Sequence, residues 1–161
     1  NSGRQYTWKN GVTIYLLTSG TSSIAYSAFV IGADIYTAGY EYNGINNVAT
    51  VWKNGVATYL TDGIRDAIAS SVYVYGTDVY VSGSESNGTK YVAKVWKNGV
   101  ATSLTTTYGS ATGVVVSGTD VYVCGLEHNG TKYVAKYWKN GVGTALTNGS
   151  NEAATTGILV K

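Results

Sequence analysis

Short runs of β-branched and aromatic residues alternate along the chain with clusters of Gly, Asn, Asp and Thr, a pattern of strands and turns rather than helices. In the stretch from Ser71 to Thr105 the runs read S-V-Y-V-Y (residues 71–75), V-Y-V-S-G-S-E (79–85), K-Y-V-A-K-V-W (90–96) and V-A-T-S-L-T (100–105). They are separated by G-T-D, S-N-G and K-N-G. Asn-Gly suits a two-residue hairpin, because both central residues of a type I′ turn need positive φ and Asn and Gly reach it at least cost. Four strands joined by tight turns predict an antiparallel meander. Residues 72–75 and 79–81 are apolar or aromatic at successive positions, which predicts strands covered on both faces.

The same set recurs. W-K-N-G-V begins at Trp8, Trp52, Trp96 and Trp138, at spacings of 44, 44 and 42 residues. Residues 72–105 laid on 114–147 match at 26 of 34 positions, and residues 28–61 laid on 72–105 match at 20 of 34. A four-stranded meander at this period predicts an all-β fold, a β-propeller built from four-stranded antiparallel blades; repeats of a pure β-solenoid are usually shorter. The chain divides as one propeller segment over residues 1–161. Residues 1–23 supply the third and fourth strands of a blade and a loop. Whole blades follow over 24–62, 63–105 and 106–147, and 148–161 add a loop and one last inner strand at Ile158, Leu159 and Val160. That makes fifteen strands, one short of a four-bladed ring. Three expectations follow: a piece or partial chain of a larger propeller whose remainder supplies the missing strand, copies that complete each other's blades, or a self-contained ring with one short blade. A start at Asn1 without Met fits a removed leader or a piece of something longer.

The segments G-T-D-V-Y-V-S-G (76–83) and S-G-T-D-V-Y-V-C-G (117–125) resemble the bacterial β-propeller repeat family of secreted and surface proteins, with repeats of the seven-bladed type. WD40 and kelch signatures are missing. The resemblance implies a propeller in an envelope or extracellular setting and carries over no catalytic residue.

Composition narrows the function. Charged residues make up 12% of the chain, with 11 basic and 9 acidic side chains scattered singly, so there is no electrostatic footprint for nucleic acid. No apolar run approaches the roughly 20 residues of a membrane-spanning helix, so membrane insertion is not expected. Much Thr, Ser, Asn, Tyr and Gly leans towards an extracellular, cell-surface or periplasmic protein. The single Cys124 closes no internal disulfide and has no companions for a metal site.

Candidate chemistry lies on one rim, where the connections between units differ from repeat to repeat: residues 18–23, 61–69, 105–113 and 147–155. Loops on a rigid scaffold are where binding groups usually sit. The candidates there are Asp62, Arg65 and Asp66, the one local charge cluster, with Tyr108, Asn148, Asn151 and Glu152. An Arg between two carboxylates also reads as a local ion pair. Glu41, Glu85 and Glu127, with Asn43, Asn87 and Asn129, repeat at the neighbouring corners, as repeated contacts to a polymer or as turn residues beside solvated carboxylates. Trp8, Trp52, Trp96 and Trp138 read as packing residues, and Asp34, Asp78 and Asp120 as turn residues suited to an Asx-type contact. His128 has no Ser or Cys nucleophile to serve, and no motif for a metal or cofactor is present. The expectation is a non-catalytic binding or adhesion module, without cofactor, for a protein or glycan. The alternative is a structural protein that assembles with copies of itself.

Overall fold

A computed structural model describes residues 6–16 and 22–161. The expected strand residues Arg4, Gln5 and Leu17, and residues 18–21 of the first rim loop, lie outside them. Among the described residues there are fourteen strands and no helix. A two-stranded sheet, β1 (Tyr6–Lys9) and β2 (Val12–Tyr15), precedes three four-stranded antiparallel sheets. The first is β3 (Ser22–Ile31), β4 (Asp34–Tyr42), β5 (Asn47–Lys53) and β6 (Val56–Tyr59). The second is β7 (Ala67–Tyr75), β8 (Asp78–Ser86), β9 (Tyr91–Lys97) and β10 (Val100–Ser103). The third is β11 (Gly109–Ser117), β12 (Asp120–His128), β13 (Tyr133–Lys139) and β14 (Val142–Ala145). Each is a meander in which every strand pairs with the next along the chain.

The turns follow their chemistry. Lys97 faces Val100, so Asn98 and Gly99 form the two-residue loop, with φ of 51° and 83°, as a type I′ turn requires. Tyr75 faces Asp78, leaving Gly76 at φ 61° followed by Thr77, the first-position glycine of a type II′ turn. The S-N-G corner is wider than a hairpin of two: Ser86 faces Tyr91 across four residues. There the Asn87 side chain closes the loop, its Oδ1 accepting the N–H groups of Thr89 and Lys90 at 3.1 Å each.

The inner strand of each sheet begins earlier than expected, because a bulge interrupts its alternation between Ala25 and Ser27, Ala69 and Ser71, and Ala111 and Gly113. Glycine on the next strand faces each bulge. A Cβ on Gly83 would lie 1.9 Å from the Ile68 carbonyl oxygen, and Gly39 and Gly125 meet the same obstacle at 1.8 and 2.1 Å. The backbones approach so closely that only Gly fits.

The sheets stack in chain order, β7 lying against β3, β4 and β5, and β11 against β7, β8 and β9. One core joins Tyr36, Val51 and Leu60 of the first sheet to Val72, Val74, Val81 and Trp96 of the second. The next repeats it with Tyr80, Val95 and Leu104 against Val114, Val116, Val123 and Trp138. The indole N–H groups of Trp52 and Trp96 are buried and find no acceptor among the described residues. Burying an indole removes roughly 200 Å² from water, about 5 kcal/mol, which outweighs the ~1–3 kcal/mol of an unmet N–H.

Among the described residues the expected fifteenth strand is not formed: Ile158, Leu159 and Val160 belong to no sheet there. A strand needs a partner ladder, and these residues have none among the described residues. The segment is held instead by side chains. Thr112 Oγ1 lies 2.9 Å from Thr155 Oγ1, Thr155 Oγ1 donates to the Gly125 carbonyl at 3.3 Å, and Ile158 lies over Gly113.

These contacts set an order of sensitivity. Trp96→Ala should cost about 3–5 kcal/mol of unfolding free energy in urea titrations. Gly83→Ala should cost about 1–3 kcal/mol through its clash with the backbone. Wild-type stability in either variant would contradict the packing described.

Candidate functional site

Two edges of the stacked sheets carry the side-chain chemistry. On the edge of the tight hairpins the repeated Asp, Lys, Asn and Tyr form a latch. In the second sheet Lys97 Nζ lies 2.8 Å from Asp78 Oδ2, and Asn98 Nδ2 donates to Asp78 Oδ1 at 2.8 Å. Asn98 Oδ1 accepts the Val79 N–H at 2.9 Å, and the ammonium stands 5.3 Å from the Tyr80 ring centre. Asp34 with Lys53 and Asn54, and Asp120 with Lys139 and Asn140, repeat the arrangement. Through these contacts Asp34, Asp78 and Asp120 tie the first hairpin of each sheet to the last. The side chains of each Lys–Asp pair are one-third to one-half exposed. Such pairs contribute little individually, and their role is to hold register.

The opposite edge carries the corner loops, 43–46, 87–90 and 129–132, and the connections between sheets. These interlock. Asn46 Nδ2 donates to the carbonyls of Gly63 and Ile64 at 3.1 and 2.9 Å, and Asn43 Nδ2 to Gly63 at 3.1 Å. Thr61, Thr105 and Thr147 each accept, through Oγ1, the N–H of Ala49, Ala93 or Ala135 at 3.2, 3.0 and 3.3 Å. Sequence reading did not single out these threonines, although they recur at one position of the repeat.

The expected ion-pair cluster is not formed: Arg65 makes no salt bridge with Asp62 or Asp66 among the described residues. Backbone donors compete for the carboxylates. Asp62 Oδ1 accepts the Ile64 N–H at 2.9 Å, and Asp66 Oδ1 accepts the Asn47 N–H at 2.8 Å. Arg65 is exposed and lays its guanidinium against Gly88 of the second sheet's corner. Tyr108 packs on Tyr91 with ring centres 6.2 Å apart. Burial, then the Asp66 carboxylate and Tyr108, raise the Tyr91 phenol above its usual 10.0. Glu152 accepts the Tyr133 N–H at 2.7 Å and pairs with Lys132 at 3.4 Å. That N–H, ahead of Lys132, holds the Glu152 carboxyl below 4.5. Asn148 closes its own turn by accepting the Ser150 N–H at 3.1 Å, and Asn151 is exposed.

Asp62 and Arg65 do share a cleft of about 410 Å³ with Glu85, Ser86, Asn87 and Lys94. Asp66, Tyr108, Asn148, Asn151 and Glu152 do not line it. Lys94 Nζ lies 3.0 Å from Glu85 Oε2, both side chains mostly buried, and Val92 adds an apolar patch. An equivalent cleft of about 350 Å³ opens in the third sheet, where Lys136 pairs with Glu127 beside His128, Asn129 and Val134. Thr107 Oγ1 donates to Glu127 Oε1 at 3.0 Å. In the first sheet the pair is replaced: Thr50 stands at the Lys position, and buried Glu41 accepts the Tyr59 hydroxyl at 2.9 Å. Lys94 and Lys136 were missed from sequence because a lysine alternating with apolar residues reads as a solvated position. Among the described residues no group of three or more His, Cys, Asp or Glu could hold a metal ion. His128 Nδ1 accepts the Gly130 N–H at 3.1 Å, a turn contact. No protein-family model matches the chain, and no curated protein matches it.

The latches have a measurable electrostatic signature. Lys97, then Asn98, hold the Asp78 carboxyl below 3.8, and Lys139, then Asn140, do the same for Asp120. Hydrogen bonding to the Asp partner, then to the Tyr hydroxyl, raises Lys53, Lys97 and Lys139 above 10.5. A depressed carboxyl adds stability that is complete above 3.8 and fades as pH falls through its folded value. A raised ammonium adds stability that is complete below 10.5 and fades as pH rises through its folded value. The latches should therefore contribute a constant amount to the melting temperature between these limits and progressively less on both sides. NMR titration should place the Asp78 carboxyl below 3.8 and return it towards that value in Lys97→Ala; an unmoved Asp78 would disprove the latch.

Proposed function

We propose that this chain is a non-catalytic binding module on a propeller-type scaffold, holding an extracellular glycan in the clefts of its corner edge. The observation that carries the reading is the recurrence of one cleft floor, Glu85–Lys94 and Glu127–Lys136, in two consecutive sheets. The walls around it differ: Arg65 and Asp62 in one, His128 and Thr107 in the other. A repeated polar floor suits a ligand that itself repeats. Carboxylate, ammonium and amide groups beside one valine match a sugar, whose hydroxyls both donate and accept around an apolar ring face.

Three features support the scaffold and setting. Four-stranded meanders that stack on one another in chain order are the building plan of a propeller. Low charge and abundant Thr, Ser, Asn and Gly favour the cell surface, an extracellular space or the periplasm. Each cleft carboxylate is ion-paired with a lysine, so the floor offers charged hydrogen-bonding groups side by side to a ligand.

A glycan array followed by calorimetry tests this. Removing Lys94 or Lys136 takes away a charged hydrogen-bond donor, about 1.5–3 kcal/mol, so each Ala variant should weaken binding at its own cleft by roughly ten- to a hundredfold. The double variant should abolish binding, with thermal melts confirming that both remain folded. A blank array beside capture of a defined protein partner would replace the glycan with a protein ligand. Binding indifferent to both lysines would remove the clefts from the reading.

A further inference from the structure

Trp8, Trp52, Trp96 and Trp138 occupy one position of the repeat, and Leu16, Leu60, Leu104 and Leu146 another. Inside the chain these positions meet across neighbouring sheets. Trp96 shares a core with Leu60 of the sheet before it, and Trp138 shares one with Leu104. Trp52 and Leu16 are likewise buried, at 0% and 1% exposure, where Ile14 and Tyr15 lie against Gly55 of the first sheet. Three tryptophans and three leucines are accounted for. The remaining two are both uncovered, Trp8 at 62% and Leu146 at 57%, against 9% for Leu60.

We infer that a second copy of this chain joins these halves, Trp8 of one copy docking on the β13–β14 face around Leu146 of the next. The occupant follows from continuity with the two internal interfaces. The face that buries Trp96 consists of Tyr36, Val51 and Leu60, and its counterpart in the third sheet is Tyr122, Tyr137 and Leu146. Both faces are built of aromatic and aliphatic side chains, with Tyr137 standing where the first sheet has Val51. On the other side Tyr6 sets its ring edge-on to Trp8 at 4.7 Å between centres and widens the apolar knob. The two faces differ from one another, so the contact is head-to-tail and each copy keeps one free half for a further copy. Nothing in this contact involves the corner clefts.

Sedimentation or light scattering across a concentration series tests it on the full chain. The expected mass rises from 16.9 kDa through integer multiples. Trp8→Ser and Leu146→Asp should each remain monomeric at concentrations where the wild type associates. Both substitutions fall on exposed residues, so melts should match the wild type. An equimolar mixture of the two variants retains one intact Trp8 and one intact Leu146 face, and should yield a dimer and nothing larger. Wild type that stays at 16.9 kDa at every concentration overturns the inference, whether or not Trp8 becomes shielded from a fluorescence quencher by closure within one chain. A mixture that behaves like either variant alone overturns it as well.

Discussion

Burial of one indole from each four-stranded sheet on the sheet before it is the constraint on which the rest of the structure depends. A lone four-stranded sheet exposes both faces and has no core of its own. Trp96 and Trp138 create one at each junction by crossing to Leu60 and Leu104. The cost is visible in the unmet indole N–H groups of Trp52 and Trp96, and it is accepted because a buried indole contributes more than its N–H forfeits. Within each sheet the bulged inner strand runs so close to its neighbour that Gly39, Gly83 and Gly125 face the bulges, where a Cβ would meet the paired strand's backbone.

The two edges then diverge in character. The hairpin edge is a closed electrostatic system: each Asp is spoken for by a Lys and an Asn of its own sheet, leaving little to offer a ligand. The corner edge spends its Asn and Thr side chains on hydrogen bonds that tie the corners and third strands to the connections, and so fixes connections of different length and composition. Variation is concentrated where it does not disturb the stack. This division is why the clefts share Glu and Lys below and differ above.

Much of the architecture was legible because its determinants are local. The Asn98-Gly99 turn follows from two residues, and the three sheets follow from repetition. What escaped reading depends on partners far along the chain. The bulge at Ala69 and Ser71 breaks the alternation that marks a strand, hiding the first residues of β7. Ile158 to Val160 have the composition of a strand and no ladder to join among the described residues. Asp62, Arg65 and Asp66 are neighbours in sequence, yet backbone donors at Ile64 and Asn47 claim the carboxylates and leave the guanidinium to the next sheet's corner. Lys94 was unremarkable until its distance to Glu85 was known.

The latches differ from the tryptophan contacts in reach: a latch begins and ends within one sheet, whereas an indole contact always spans two. Unequal duplication or deletion of one whole repeat in the gene would carry each latch along intact and rejoin one indole contact of the same kind. Such a protein can change its repeat number without inventing a new junction, while the connections between its sheets vary on the copies. Point mutation inside a latch or at a bulge-facing glycine has no such escape, so evolution of this chain should proceed more readily by counting than by redesign.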